Sequence, residues 1–285
     1  PGVAAIWMGP ALRVPLDKLR FVTKDIGGGF GNKITTHVQL AACCLLARKL
    51  YRPIQWTEWR TDQHTANAHG TERWFHDIEV AVQNDGTMLG FKVKALDDCG
   101  AFPRYEPLGC IIWAQVTPGM YGWRNIKVDF TQVCTNKSPV WPNRGYSRMQ
   151  HLWLTERIID IVATELDLDR VEIRKKNYVQ REDMPYETPN GCVYDSGDYA
   201  KMLDSALELI GYDELETRRA DAESRGVLLG LGIGSTLDSG TKNFGQSRLI
   251  NPELQFSGNN EVASVKLDIF GEVVWTLGTG PQGQG

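Results

Sequence analysis

A cluster of glycines lies near the start of the chain. Residues 25–33 read Asp-Ile-Gly-Gly-Gly-Phe-Gly-Asn-Lys, between a predicted strand over 20–24 and a predicted helix over 35–48. Glycine-rich backbone at a helix N-terminus exposes N–H groups where the helix dipole favours negative charge, so this loop suits a phosphate or an oxo-anion. Its spacing fits neither the GxGxxG fingerprint nor the GxxxxGK[ST] loop, because Asn32 replaces the glycine that both patterns need. A structural tight turn is the alternative interpretation.

A second candidate segment is the Asn-Arg-Gly-Tyr-Ser-Arg turn at residues 143–148, which follows a proline-rich stretch and precedes a predicted helix over 148–165. An arginine at a helix entry is a good anion ligand, because its guanidinium carries five donors in a fixed geometry. Arg144 is therefore a candidate anion ligand, and Tyr146 could stack on a planar substrate. The alternative is a solvated arginine and a surface tyrosine.

The third candidate segment is the run of glycine and glutamine at residues 278–285. Glutamine amides offer both donors and acceptors, and glycine lets the backbone approach a ligand closely, so the segment could hold a polar heterocycle. A flexible terminus is the alternative. None of the three segments supplies a nucleophile with an adjacent base.

A fold with both helices and strands must position these segments. An Asp85-Gly86 turn between alternating apolar runs predicts one β-hairpin, and Phe270-Gly271 marks a second. The patterns indicate an α+β fold class with mixed sheets, long antiparallel strands and flanking helices. Strands are predicted over 20–24, 54–57, 74–82, 88–95, 126–134, 227–236, 261–268 and 273–277, and helices over 35–48, 148–165, 168–174, 198–210 and 216–225.

Composition and charge exclude several classes of protein. The 285 residues carry a net charge of −4, with 42% hydrophobic and 23% charged residues. These values argue against a disordered chain, a collagen-like chain and a basic nucleic-acid binder. No run approaches the roughly 18 apolar residues of a membrane span. The start, which has no initiator Met, lacks the layout of a secretory signal. We therefore expect a cytoplasmic protein, present here as a piece of a longer chain.

The cysteines and histidines show no spacing typical of a zinc site. We expect the cysteines to be buried free thiols and the histidines to lie at the surface or in satisfied structural positions. These residues are Cys43, Cys44, Cys99, Cys110, Cys134 and Cys192, and His37, His64, His69, His76 and His151.

Taken together, the three candidate segments resemble the molybdenum hydroxylases, that is, the xanthine oxidase, aldehyde oxidase and carbon monoxide dehydrogenase-like family. Their order matches the molybdopterin-binding large subunit of that family. Residues 157–178, which end in Arg-Lys-Lys-Asn-Tyr, resemble the family helix leading into its "R..N" motif. Residues 191–203 resemble the "YDSGDY" segment of the carbon monoxide dehydrogenase-like branch. The resemblance covers essentially the whole chain.

The resemblance implies a role for each matching residue. The Phe30 backbone would lie close to an oxygen ligand of the molybdenum, and Arg144 would act in catalysis as a positive charge that stabilises oxyanionic species. Tyr146 would lie beside the substrate ring. The general base of the family is a Glu near the C-terminus of the large subunit, and no residue here matches it. The implied cofactor-binding residues are Gly28, Gly29, Phe30, Gly31, Arg144, Gln282, Gly283 and Gln284.

Two departures from the family pattern concern the substrate. Xanthine oxidases carry Glu directly after the lysine of the glycine loop, whereas this chain has Ile34, which argues against purine recognition through that carboxylate. Copper–molybdenum carbon monoxide dehydrogenases carry Cys directly after the arginine, whereas this chain has Gly145. The resemblance therefore leaves an N-heterocycle, an aldehyde or a related aromatic compound as the substrate.

The resemblance also implies cofactors, partners and domains. The cofactor would be molybdenum–molybdopterin, in its cytosine dinucleotide form, with [2Fe–2S] and FAD on separate partner subunits in a dimer of heterotrimers. Residues 1–212 would belong to the first molybdopterin-binding domain, and residues 213–285 would begin the second. Two alternatives remain: a non-catalytic cofactor-binding or scaffold module that lacks the base Glu, and a binder of nucleotide phosphates that uses the glycine loop.

Overall fold

The computed structural model describes residues 8–23, 26–33, 37–67, 72–104, 108–237, 263–277 and residue 283. Helices and strands both occur in these ranges, so the predicted α+β fold class is confirmed. No helix in the described ranges has both the length and the apolar content needed to cross a bilayer. The helices longer than two turns are α1 (His37–Leu50), α2 (Leu108–Val116), α3 (Arg148–Glu165), α4 (Arg170–Asn177), α5 (Tyr199–Ile210) and α6 (Leu215–Ser224), and the strands are β1 (Glu72–Val82), β2 (Met88–Asp98), β3 (Asn125–Val133), β4 (Tyr186–Glu187), β5 (Val193–Tyr194), β6 (Ala263–Leu267) and β7 (Val273–Leu277).

The largest sheet has the strand order β1-β2-β3. β1 and β2 form the predicted antiparallel hairpin, in which Asp85 Oδ1 accepts the Thr87 N–H at 3.0 Å and Gly86 adopts a φ of +83° that favours glycine. β3 pairs with β2 in parallel, along Gly90 to Asp98 of β2. The sheet is therefore mixed, and its third strand departs from the antiparallel pattern because the chain crosses over through α2 before it returns.

Helix α2 is the longest described element that sequence analysis missed. Its sequence, Leu-Gly-Cys-Ile-Ile-Trp-Ala-Gln-Val, is apolar on all sides and therefore lacks an amphipathic period. Trp113 is fully buried, stacks on Phe75 of β1 with ring centroids 5.5 Å apart, and meets Phe130 of β3 edge-on at 5.1 Å. Packing against two strands thus accounts for an apolar helix with no clear polar face.

The main hydrophobic core joins the sheet to α3. Phe91 and Val93 of β2 belong to the same buried cluster as Leu154, Ile158 and Ile159 of α3. Fully burying a side chain of this size contributes about 1.5–3 kcal/mol. The core therefore fixes the position of α3, and with it the turn at residues 143–147 that enters this helix.

Three predicted strands are wrong. Residues 54–57 and 227–236, and the described residues 20–23, lie in irregular backbone. A strand needs a neighbour to satisfy its backbone hydrogen bonds, and no described strand pairs with these segments. In the segment 227–236, the Ile233 carbonyl instead accepts a hydrogen bond from Arg174 Nη2 at 3.2 Å. The Ile233 carbonyl therefore bonds to α4, and the segment pairs with no described strand.

The second predicted hairpin is confirmed as β6 and β7, which pair antiparallel with Ala263 opposite Leu277 and Leu267 opposite Val273. Every residue of both strands is exposed. An isolated two-stranded hairpin is marginally stable in water, so packing against further structure is expected to stabilise it.

All six cysteines are free, as predicted. Only Cys99 and Cys110 are buried, however, and Cys134 is exposed. The expectation of buried thiols is therefore correct for two of the six and wrong for Cys134, which follows the end of β3.

Candidate functional site

The glycine loop at residues 26–33 folds into a tight turn around Phe30. Phe30 has a φ of +53°, and its neighbour Gly31 has a φ of +97°. The Asn32 N–H donates to the Gly29 carbonyl at 3.1 Å, and Lys33 Nζ donates to the Gly28 carbonyl at 2.9 Å. The lysine therefore bonds to the loop's own backbone and holds the turn closed.

The arginine turn lies directly against this glycine loop. The Arg144 N–H donates to the Phe30 carbonyl at 2.9 Å. A Cβ added at Gly31 would lie 2.8 Å from the Pro142 carbonyl oxygen, which is closer than real Cβ atoms approach. The two segments therefore touch through their main chains, and the contact requires glycine at position 31.

The turn presents the Arg144 side chain outward. Gly145 has a φ of +72°, and its carbonyl accepts the Arg148 N–H at 2.7 Å, which closes the turn at the start of α3. Arg144 itself is exposed. An exposed guanidinium beside a glycine loop can bind an anion or stabilise a developing negative charge.

A buried ion pair anchors this turn to the sheet. Arg73 of β1 pairs with Asp97 of β2, with Nε 2.6 Å from Oδ1 and both side chains fully buried. Arg73 Nη2 also donates to Ser147 Oγ at 2.9 Å, and Ser147 is the residue before α3, with a φ of +63°. The pair therefore connects the hairpin to the residue at which the arginine turn becomes a helix.

The Asp97 carboxylate bonds to side chains from three elements. Besides Arg73, it accepts Gln132 Nε2 of β3 at 3.2 Å and Cys110 Sγ of α2 at 3.4 Å. Sequence analysis missed this network. A signal was present, because Arg73 and Asp97 lie the same number of residues before and after Asp85 and are paired across the hairpin.

Gly283, from the third candidate segment, also reaches the glycine loop. A Cβ added at Gly283 would lie 2.8 Å from Cε2 and 3.0 Å from Cε1 of Phe30, and closer still to Cζ. The structure therefore brings Phe30, Arg144 and Gly283 together, although they are far apart in sequence. The predicted site residues Ile34, Gln282 and Gln284 lie outside the described residues.

Tyr146, within the arginine turn, is buried against α2. It is 8% exposed and forms a small buried cluster with Ile112 of α2 and Val140. Its predicted place beside a substrate ring stays a prediction. Its contact with Ile112 packs the arginine turn against α2.

His151, in the first turns of α3, departs from the expectation for the histidines. Its side chain is fully buried, and neither ring nitrogen makes a hydrogen bond of ordinary length and angle in the described part of the chain. Burial, and to a smaller extent the charge of nearby Arg148, lowers the pKa of His151 to about 3. The imidazole is therefore neutral, and His151 is a buried histidine and not a surface one.

A second ionic network lies away from these loops, between α3 and α4. Arg174 Nε donates to Glu156 Oε2 at 2.9 Å, its Nη2 donates to Asp160 Oδ1 at 2.9 Å, and the Tyr121 hydroxyl donates to Glu156. Burial raises the pKa of Glu156 despite the opposing effects of Tyr121 and Arg174. All of these groups bond to one another, so this network is structural.

The arginine of the "R..N" motif is this Arg174, and the motif's asparagine is also structural. Asn177 Nδ2 donates to the Gly86 carbonyl at 2.9 Å, and Asn177 Oδ1 accepts the Met88 N–H at 2.8 Å. The asparagine therefore ties α4 to the turn of the β1–β2 hairpin.

Comparison with known proteins identifies the family. The model of the molybdopterin cofactor-binding domain matches residues 3–178, and the chain belongs to the molybdenum hydroxylase family of xanthine oxidase type. The predicted resemblance is thereby confirmed.

Individual relatives agree with this family. The carbon monoxide dehydrogenase large chain of Hydrogenophaga pseudoflava is 31% identical over 95% of this chain and 34% of its own length. The nicotine 6-hydroxylase large subunit of Paenarthrobacter nicotinovorans is 30% identical over 93% of this chain and 32% of its own length. The structure of quinoline 2-oxidoreductase from Pseudomonas putida 86 matches with a TM-score of 0.87 and 28% identity, over all of this chain and 36% of that one. The chain thus spans about a third of the length of these relatives.

The described residues fit a metal that is held through a pterin. They contain no group of three or more His, Cys, Asp or Glu side chains that could hold a metal ion. What they offer is the exposed cation of Arg144 beside the backbone of the glycine loop, to which the Arg144 N–H bonds. Such a surface can contact the oxygen atoms and the pterin of a cofactor without ligating the metal through side chains.

Proposed function

We propose that this chain is the cofactor-binding part of the catalytic large subunit of a molybdenum hydroxylase. The whole enzyme would hydroxylate an electrophilic carbon of an N-heterocycle, an aldehyde or a related aromatic substrate, with water as the oxygen source. The observation that carries the proposal is the convergence of the Phe30 loop, the Arg144 turn and Gly283 at one place.

Each part of the site has a role in this proposal. Bound molybdenum–molybdopterin would supply the two-electron oxidation chemistry. The backbone amides of Gly28, Gly29, Phe30 and Gly31 would donate to anionic oxygen atoms at the cofactor. Arg144 would stabilise negative charge that develops on the reacting oxygen. Gln282 and Gln284, on either side of Gly283 in sequence, would hydrogen-bond the pterin.

The names of two relatives and the residues at two positions support the proposed substrate class. Nicotine and quinoline, named in two of the relatives, are N-heterocycles. Gly145 stands where copper–molybdenum carbon monoxide dehydrogenases carry a cysteine, which disfavours carbon monoxide, and Ile34 disfavours purines. Tyr146 would lie beside the ring of the substrate.

The remaining features of the whole enzyme belong to the same proposal. The cofactor would be the cytosine dinucleotide form, and electrons would leave through [2Fe–2S] and FAD on partner subunits, in a dimer of heterotrimers in the cytoplasm. Residues 1–212 would form part of the first molybdopterin-binding domain and residues 213–285 the start of the second. The general base would be a Glu in the remainder of the large subunit.

The decisive measurement is the molybdenum and pterin content of the full-length large subunit, purified with its natural partners. We expect stoichiometric molybdenum and a releasable pterin. A correctly assembled complex that lacks both would contradict the proposal, and one that holds both but oxidises no N-heterocycle or aldehyde would favour a non-catalytic cofactor-binding module.

A matched pair of arginine variants tests the role of Arg144. We expect Arg144→Met to lose at least about 100-fold in kcat with molybdenum retained, the scale seen when one donor to a developing oxyanion is removed. Arg225→Met is the control, because Arg225 pairs with Asp221 on the exposed face of α6. Equal activity of both variants would remove Arg144 from catalysis.

A further inference from the structure

We propose that the two adjacent carboxylates at the end of β2, Asp97 and Asp98, are positioning residues for Arg144. They hold opposite ends of the β3–α3 connection, residues 134–147, which carries the arginine turn. The hold itself depends only on contacts within the structure. Its effect on catalysis rests on the proposed function, in which Arg144 stabilises negative charge on the reacting oxygen.

Asp98 anchors the start of the β3–α3 connection. Its Oδ1 accepts the Thr135 hydroxyl at 2.6 Å and the Gly100 N–H at 2.9 Å, and its Oδ2 lies 2.6 Å from Lys137 Nζ. The Thr135 N–H also donates to the Gly100 carbonyl at 3.0 Å. The first residues of the connection are therefore fastened to the end of β2, although β3 itself has already ended.

Asp97 anchors the end of the connection through one intermediate side chain. Its Oδ1 lies 2.6 Å from Arg73 Nε, and both side chains are fully buried. Arg73 Nη2 in turn donates to Ser147 Oγ at 2.9 Å, and Ser147 is the last residue of the connection before α3. Hydrogen bonds between ionised groups are stronger than neutral ones, so Asp97 fixes the guanidinium that holds Ser147.

The two carboxylates can serve opposite ends because they are neighbours on one strand. Successive side chains of a strand point to opposite faces of the sheet. Asp97 is fully buried, whereas the Asp98 side chain is 18% exposed. β2 and β3 are paired in parallel as far as Asp98 opposite Val133, so the connection starts beside the end of β2. Two consecutive residues of β2 thus reach both ends of the segment that carries Arg144.

The arginine turn between these anchors needs the restraint that they supply. The Arg144 N–H donates to the Phe30 carbonyl at 2.9 Å, but the Arg144 side chain is exposed. The next residue is Gly145, with a φ of +72°, and glycine backbone is less restricted than that of other residues. An anchor at Ser147 therefore restricts the turn to one conformation, and with it the direction of the Arg144 side chain.

Catalysis by charge stabilisation depends strongly on such placement. A cation lowers the barrier only if it lies where negative charge develops in the transition state. A displacement of about 1 Å, caused by a change far from the reacting atoms, can lower a rate by about 100-fold. We therefore expect Asp97 and Asp98 to affect turnover through the connection that they hold.

Single variants of the full-length large subunit, assembled with its partners, test both anchors. Asp98→Ala removes the anchor at the start of the connection, and Asp97→Asn removes the charge behind the anchor at its end. Asp77→Asn is the matched control, because Asp77 forms an exposed ion pair with Lys94 within the same hairpin. The readouts are hydrogen exchange of the peptide over residues 134–147, bound molybdenum, kcat and KM.

We expect Asp98→Ala and Asp97→Asn each to speed exchange in this peptide by at least about tenfold, the scale of a lost hydrogen bond to a charged group. Each should also lower kcat by at least about tenfold, with molybdenum retained and KM little changed, because the contact that is lost acts in the transition state. Wild-type exchange in either variant would overturn the proposal, as would equal effects in Asp77→Asn.

A double-mutant cycle with Arg144→Met separates positioning from general stability. If Asp97 acts through Arg144, Asp97→Asn should lower kcat in the wild-type background and cause little further loss in the Arg144→Met background. A general loss of structure would lower kcat by the same factor in both backgrounds, and that result would overturn the proposal.

Ser147→Ala tests the same anchor without disturbing the buried charges. It removes the hydroxyl that accepts Arg73 Nη2 and leaves the Arg73–Asp97 pair in place, so it remains informative if Asp97→Asn fails to fold. We expect faster exchange in the peptide over residues 134–147 and the same lack of additivity with Arg144→Met. Wild-type exchange in Ser147→Ala would overturn the anchor at this end.

The readouts also distinguish this proposal from the proposed function. If the wild-type complex holds no molybdenum, the proposed function fails, but hydrogen exchange still decides whether Asp97 and Asp98 hold the connection. If the complex holds molybdenum and turns over substrate while both variants keep wild-type exchange and kcat, the positioning role fails and the proposed function stands.

Discussion

The α3–α4 network and the glycine-loop site hold their parts together in opposite ways. In the network, Glu156, Asp160 and Arg174 form ion pairs in which the Arg174 side chain is fully buried. At the site, the Arg144 N–H bonds to the Phe30 carbonyl. Gly31 and Gly283 are needed there because they have no Cβ, which would clash with a neighbour at either position. Stability in the first region depends on side chains that are present, and in the second on side chains that are absent.

The difference has a functional meaning. The charged groups of the α3–α4 network bond to one another, so little bonding capacity remains for a ligand. At the glycine loop, by contrast, Arg144 is exposed and the turns hold themselves by backbone bonds. A region that satisfies itself through its main chain can keep a side-chain cation available for a cofactor or a substrate.

The largest expected effect comes from breaking the network. Arg174→Met would leave Glu156 and Asp160 without their cation in a buried setting, which typically costs about 3–5 kcal/mol of unfolding free energy. The measurement is the midpoint of denaturant unfolding of the full-length subunit. Lys175→Met is the control, because Lys175 pairs with Asp204 nearer the surface, where a pair contributes about 0–1 kcal/mol. Similar shifts for both variants would contradict the structural role of the network.

The pH dependence of stability should reveal the buried His151. Its pKa of about 3 in the folded state lies below the ordinary value of 6.5, so the unfolded chain binds a proton first as the pH falls. Stability from this residue is therefore complete above about pH 6.5 and is lost as the pH falls towards 3. We expect His151→Leu to make the slope of unfolding free energy against pH shallower by up to about 1.4 kcal/mol per pH unit in this window.

His64→Leu, which replaces an exposed histidine, is the control for this experiment. An unchanged slope in His151→Leu would mean that the imidazole binds its proton equally well in the folded and unfolded states, which would contradict a buried neutral imidazole.

We expect a methyl group at position 31 to weaken the contact between the glycine loop and the arginine turn. Gly31→Ala would bring a Cβ to 2.8 Å from the Pro142 carbonyl oxygen at a φ of +97°, at an expected cost of about 1–3 kcal/mol to the contact between loop and turn. We expect molybdenum content to fall while the midpoint of global unfolding changes little. Gly27→Ala is the matched control, since its Cβ would meet nothing within 4 Å. A loss in both variants would point to general loop flexibility, and a loss in neither would remove the contact from cofactor binding.

Local patterns predicted the parts of the fold that local interactions decide. The β1–β2 hairpin follows from Asp85-Gly86, and α3 follows from its apolar period. The same reasoning failed for α2, which is apolar on all sides, and for residues 227–236, which alternate like a strand but pair with no described strand. Whether a segment pairs as a strand depends on a neighbour, and local sequence does not supply that neighbour.

The site was predictable in its components and not in its contacts. The glycine loop, the Arg144 turn and the terminal glycine segment each carry a local signal. That the Phe30 carbonyl bonds to Arg144 and the Phe30 ring meets Gly283 depends on how distant segments pack. The Arg73–Asp97 pair, which holds Ser147, is a tertiary contact of the same kind, although its cross-strand register could have been derived from the hairpin turn.

The smallest expected effect is at the turn of the β1–β2 hairpin, where an exposed ion pair offers a contrast to the buried network. Asp85 Oδ2 lies 2.7 Å from Lys176 Nζ, and Asp85 Oδ1 accepts the Thr87 N–H. The bond to Lys176, followed by those to Thr87, lowers the pKa of Asp85 to about 2 from its ordinary 3.8. The stability that Asp85 provides is therefore present above about pH 4 and is lost as the pH falls towards 2.

Asp85→Asn should remove this pH dependence with only a small change at neutral pH. Lys176 Nζ also donates to the Asp85 main-chain carbonyl at 2.7 Å, so the variant keeps this acceptor and replaces a charged side-chain acceptor by a neutral amide. The measurement is the unfolding midpoint at neutral pH and near pH 3, with Asp129→Asn, at an exposed position of β3, as the control. A neutral-pH loss as large as that of Arg174→Met would mean that the exposed turn contributes as much as the buried network, and the contrast between them would fail.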